Sequence, residues 1–132
     1  MSLLLLDTNI VSFVFKMHPL AHSYEPLLGT NPLAISFMTV AELHEGAARA
    51  KWGERKRRRL TAMLQTYLLI DSTHRICQRW GQIRAGRYKQ PIAVDDAFIA
   101  ATAVEHNLPL VTHNPRDFDG ISGLQLITAQ AP

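Results

Sequence analysis

The chain has a single cysteine, Cys77, among its 132 residues. A lone thiol forms no internal disulfide, and its spacing to the six histidines matches no zinc pattern, so a disulfide framework and a structural zinc are both excluded. A reducing, cytoplasmic setting is the simplest expectation. Long apolar runs are missing too. Leu3 to Leu6 is far too short for the apolar region of a signal peptide, and nothing approaches the roughly 20 residues that span a bilayer. No internal repeat, low-complexity tract or linker interrupts the chain. It is expected to form one domain over residues 1–132, soluble, unprocessed and off the membrane.

What the chain does have is material for a core. Hydrophobic residues make up 47% and charged residues 19%, which suits a globular fold burying roughly two-thirds of its unfolded surface. The net charge of +3 is compatible with an anionic partner without requiring one.

Four leucines, Leu3-Leu4-Leu5-Leu6, stop abruptly on Asp7-Thr8-Asn9. A short apolar run of this kind is the pattern of a strand buried on both faces, and its carboxyl end is where open α/β sheets bind ligands. Further strands are expected at Leu33-Ala34-Ile35-Ser36, Leu68-Leu69-Ile70-Asp71, Leu108 to Thr112 and Leu124 to Ile127. Between them lie helical patterns. Ile10, Val11, Val14 and Phe15 mark the first, and a short one from Leu20 to Leu28 closes at Gly29. Another opens near Thr39. The stripe Leu60, Met63, Leu64, Tyr67 and Leu68 belongs to a helix beginning near Glu54, and Ile76, Trp80 and Ile83 to one capped by Ser72 or Thr73. Asp95 to Val104 is apolar nearly all round after its two acids, and Asn107 can end it in a left-handed turn. The alternation predicts an α/β fold, a three-layer α/β/α sandwich around a mainly parallel sheet.

In that architecture Asp7, Glu42 and Asp96 arrive at one rim of the sheet by three routes, with Asn114 and Asp117 as looser company. Each acid alone has a structural reading. Asp7 can start a turn, Asp95 or Asp96 can satisfy helix amides, and Thr39-x-x-Glu42 fits a capping box in which Glu42 folds back on the Thr39 amide. Together they repel, so a proton or a cation must sit among them. Oxygen ligands without His or Cys select Mg²⁺ or Mn²⁺ over zinc. Two groups of cations, Lys51 with Arg55 to Arg59 and Arg75 with Arg79 and Arg84, fit either a phosphate backbone or a solvated helix face. The early helices around Val14 and Leu27 are the expected partner-facing surface.

Four stretches then fall in order. Leu5-Leu6-Asp7-Thr8-Asn9, Ser36 to Leu43 with Thr39 and Glu42, Asp96-Ala97-Phe98-Ile99-Ala100-Ala101, and Leu110-Val111-Thr112-His113-Asn114 with Asp117-Phe118 resemble the motifs of PIN-domain ribonucleases, specifically VapC-type toxins of toxin-antitoxin modules. The likeness runs from residue 3 to about residue 127. It implies a Mg²⁺- or Mn²⁺-dependent endoribonuclease acting on RNA, inhibited by a cognate antitoxin and often a homodimer. Asp7, Glu42 and Asp96 match the family's catalytic, metal-holding acids, with Asp96 preferred to Asp95 because it directly precedes Ala97-Phe98-Ile99. The fourth position departs from the pattern. Asn114 stands where many members carry Asp, and Asp117 follows three residues later, which puts a second metal ion in doubt. Two other readings remain, a PIN nuclease of RNA processing without a toxin role and a PIN-fold binding module without catalysis.

Overall fold

Leu4–Leu6 form β1, and the two faces of this short strand enter different cores. Leu5 packs with one group of buried residues, Leu4 and Leu6 with another. All three leucines are at most 3% exposed, each contributing about 2 kcal/mol of apolar burial. The fully apolar run is therefore what a strand with a helix layer on either side demands. The structure, a computed structural model, describes residues 2–129.

The remaining strands are β2 (Leu33–Ser36), β3 (Leu68–Ile70), β4 (Leu110–Val111) and β5 (Leu126–Ile127), in the order β3-β2-β1-β4-β5. Every pairing is parallel, with Leu5 opposite Ala34 on one side and Leu110 on the other. The helices are α1 (Thr8–Phe15), α2 (Ala21–Leu28), α3 (Phe37–Arg49), α4 (Glu54–Leu64), α5 (His74–Gly86) and α6 (Val94–Glu105). Ile10 and Val11 of α1, Tyr24 of α2, Ala47 of α3 and Leu60 of α4 share a core with Leu4 and Leu6. Ile76 of α5 and Ala97, Ala100 and Ala101 of α6 share the opposite one with Leu5. The expected three-layer α/β/α arrangement is the observed one.

Strand order reverses at β1, whose chain continues to β2 on one side while β4 lies on the other. The crevice beyond the carboxyl ends of β1 and β4 is a topological switch point, the usual ligand site of such sheets. Among the described residues no helix is long and apolar enough to cross a membrane.

Several boundaries differ from the sequence reading. Helix α3 starts at Phe37, capped by the Ser36 hydroxyl, which accepts from the Met38 amide at 3.0 Å. Thr39 is thus inside the helix and not its cap. Helix α4 ends at Leu64, and Leu68, assigned to its stripe, belongs to β3. As the sheet's edge, β3 leaves Leu68 and Leu69 more than half exposed, at 56% and 51%. Gly29 closes α2 in a right-handed conformation, with φ −79. Asn107 adopts the left-handed turn expected of it, with φ 53. Of the two residues expected on a partner-facing surface, Val14 lines an open groove of about 560 Å³ with Met17, Ala21 and Leu28. Leu27 instead packs against the core.

Candidate active site

Asp7 follows β1 directly and caps α1, its Oδ1 accepting the Ile10 amide at 3.0 Å. The Thr112 side chain, just past the end of β4, lies beside this carboxylate and favours its charged form. Burial is the dominant influence and pushes the Asp7 carboxyl above its ordinary range, against those neighbours and the nearby His113. Capping and site membership are compatible here, because one carboxylate oxygen satisfies the helix and the group still faces the crevice rim.

Glu42 lies in the second turn of α3, and helix side chains slant toward the N-terminus, so a long carboxylate there reaches back to the rim. Its Oε1 accepts the Thr8 hydroxyl at 2.7 Å, and the Thr8 oxygen in turn lies 3.1 Å from that of buried Thr39. The capping-box alternative falls, since Ser36 caps the helix and Glu42 is bound to Thr8. Burial and the neighbouring Asp95 carboxyl push Glu42 up to about 8. Asp95, hydrogen-bonded to Glu42, moves down. Of the pair, Glu42 holds a proton more tightly than Asp95.

Asp96 sits in the first turn of α6. Burial first, then the charges of Asp95, Asp117 and Asp7, raise it to about 6. Four segments far apart in sequence thus act on one another's ionisation at the switch point.

Among known families, that of the PIN domain has a model matching residues 4–124. This chain belongs to the PIN domain family. Ribonuclease VapC1 of Haemophilus influenzae (strain R2866) is 33% identical over 125 residues, covering 92% of this chain and 93% of that protein. The tRNA(fMet)-specific endonuclease VapC of Shigella flexneri is 31% identical over 123 residues, with coverage of 92% and 93%. The crystal structure of VapBC2 from Rickettsia felis bound to a DNA fragment from their promoter matches with a TM-score of 0.83 at 29% identity, covering 98% of this chain and 100% of that chain. The resemblance to VapC-type PIN proteins extends over nearly the whole fold.

In this PIN domain the two candidates for the fourth position behave differently. Both are exposed, and the Asn114 backbone amide donates to the Thr112 hydroxyl at 3.1 Å. Asp117 lies in the 3-10 turn Pro115–Phe118, and its charge acts on Asp96. Electrostatically, Asp117 belongs with the acids.

The donor set fits a hard cation. All its members are carboxylate oxygens, and a divalent ion would offset the burial and the mutual repulsion that together favour the protonated forms of Glu42 and Asp96. No three His, Cys, Asp or Glu side chains among the described residues come close enough to enclose an ion unaided. Mg²⁺ does not need such a cage, because it is usually held by one or two carboxylates, water and substrate phosphate.

The arginines proposed for nucleic acid are mostly engaged elsewhere. Glu105 takes Arg75 at 3.1 Å and Arg79 at 2.9 Å. Arg84 donates to the Ile92 carbonyl at 2.7 Å. On the α4 side, Lys56 lies over the Trp52 ring at 4.0 Å, Arg57 bonds the Trp52 carbonyl, Arg58 pairs with Glu54, and Arg59 lies over Phe15. Phe15 is at the far end of α1, about 12 Å along the helix from Asp7.

Three rim residues escaped the sequence reading. Thr8 orients Glu42. Tyr24, fully buried, places its hydroxyl 2.7 Å from His113 Nδ1, and so fixes a ring whose charge acts on Asp7. Thr112 stands beside Asp7 itself. A hydroxyl beside each acid motif was the only available signal, and it does not say which acid it serves.

Proposed function

We propose that this PIN domain is a divalent-metal-dependent endoribonuclease, the toxin of a VapC-type module, acting in the cytoplasm. The convergence of Asp7, Glu42, Asp96 and Asp117 at the switch point carries the reading. Asp7 and Asp96 would hold Mg²⁺ or Mn²⁺, with Glu42 and Asp117 completing the charge around it. When bound, the ion supplies Lewis acidity toward phosphate oxygens and water.

The chain's own residues do the rest. Thr8 fixes the Glu42 carboxyl by a hydrogen bond. Asp95 lies beside that carboxyl. The Ile10 amide holds Asp7 in place. Water attack on phosphorus leaves 5′-phosphate and 3′-hydroxyl ends, and the ribose 2′-hydroxyl takes no part. We assign RNA as substrate, a small cognate antitoxin as protein partner and a homodimer as the working state.

The test is cleavage of RNA by purified protein with Mg²⁺ and with EDTA, followed by mapping of the ends. Metal-dependent cuts with 5′-phosphate ends support the reading. Products with 2′,3′-cyclic phosphate refute the mechanism, and absence of cleavage favours a binding module.

A further inference from the structure

Trp80, Arg84 and Arg87 recur at the i, i+4, i+7 spacing that defines one helical face, running along α5 to its C-cap. Each donates to a backbone carbonyl of the segment leading into α6. Trp80 Nε1 bonds Val94 at 3.1 Å, Arg84 Nη1 bonds Ile92 at 2.7 Å and Arg87 Nε bonds Gln90 at 2.8 Å. Every second carbonyl from Gln90 to Val94 is thus taken by the next donor along α5. This ladder stands where α6 lacks a side-chain cap, since its N-cap is Ala93. Two residues further on lie Asp95 and Asp96.

Arg87 does more than end the ladder. Its Nη1 also donates to the carbonyls of Asp117 at 3.3 Å and Asp119 at 3.0 Å. A single planar guanidinium therefore grips the backbone of two segments, the lead-in to Asp96 and the turn carrying Asp117. A lysine, with its point charge and single nitrogen, cannot reproduce that fork.

We propose that Arg87 is a positioning residue for the acid cluster, clamping the turn of Asp117 to the lead-in of Asp96 so that the two carboxylates face one ion. The inference rests on the metal-site reading above and deepens it. Trp80 and Arg84 hold α6 in line, and Arg87 ties its lead-in to the 3-10 turn by hydrogen bonds, beside the packing of Phe118 in the core it shares with α6.

The experiment compares wild type, Arg87→Lys and Arg87→Ala by Mn²⁺ titration without RNA and by amide hydrogen exchange. The Asp117 and Asp119 amides bond Asn114 and Arg116 carbonyls within the turn, so they report its closure. Both variants are expected to bind Mn²⁺ about tenfold more weakly, the loss typical of groups that support metal ligands. Exchange should accelerate at residues 117 and 119, with the amides of β1 unchanged. Unaltered Mn²⁺ affinity, or full recovery by Arg87→Lys, would overturn the clamp, leaving Arg87 as scaffold or as a simple charge. If the wild type itself bound no Mn²⁺, the metal-site reading would have failed and the proposal with it. That result is distinguishable from equal binding by wild type and variants, which sinks the clamp alone.

Discussion

Without metal, the acid cluster should make the protein less stable as pH rises from about 5 to 8.5. Glu42, Asp96 and Asp7 all ionise later in the folded state than in the unfolded chain. The folded state therefore binds more protons between those limits. The stability this represents is complete below the unfolded values near 4, and it is lost as pH climbs through about 6 for Asp96 and about 8 for Glu42. One pH unit of displacement is worth about 1.4 kcal/mol. Both side chains are half-buried and partly screened, and Asp95 moves the opposite way, so roughly 2 kcal/mol in total is the working figure. For a chain of this length that is a fall in Tm of roughly 6–8 °C. The assay is calorimetry in EDTA across the pH range, repeated in Mn²⁺. Metal binds only the ionised cluster, so its stabilisation should be greatest at pH 8 and small at pH 5, reaching about 2.7 kcal/mol at a hundredfold excess over Kd. In Asp96→Asn the metal-free profile should flatten and Tm at pH 8 should rise. A metal-free Tm that held steady or climbed toward pH 8, or a Mn²⁺ effect independent of pH, would refute the reasoning.

Further outcomes are expected from single substitutions. Glu42→Gln keeps an oxygen for Thr8 to donate to, so RNA cleavage should fall at least about a hundredfold while Tm in EDTA at pH 8 holds or rises. A Tm several degrees lower would return Glu42 to a structural role. Asp117→Asn should weaken Mn²⁺ binding more than Asn114→Ala, as isothermal titration would show, and the reverse order would move the fourth position to Asn114. Gly46 sits in α3 with open space where a Cβ would be, so Gly46→Ala should stabilise by about 0.5–1 kcal/mol in urea denaturation. A destabilisation would mean that the helix packs closely there.

The central strand and the parallel alternation were legible because each is a local pattern. Four leucines ending on Asp7 report burial on two faces, and Thr73, seen as a possible cap, does cap α5 with its hydroxyl 3.2 Å from the Ile76 amide. What was hidden depended on neighbours. Ser36 is both the last residue of β2 and the cap of α3, so Thr39 was a plausible start until Ser36 was seen to hold the Met38 amide. Asn114 matched the motif by spacing, yet Asp117 acts on Asp96 because a 3-10 turn carries it back. Arg84 reads from the sequence as a phosphate contact or a solvated cation, and Arg87 carries no signal there. Only the path of residues 90–94 and 117–119 beside α5 reveals that they hold carbonyls.

The most direct measurement is a crystal structure grown in Mn²⁺ with anomalous data collected at the manganese edge. The account predicts an anomalous peak bounded by carboxylate oxygens of Asp7 and Asp96, with Glu42 and Asp117 turned toward it. Manganese bound elsewhere, with those carboxylates still hydrogen-bonded only to protein, would contradict it.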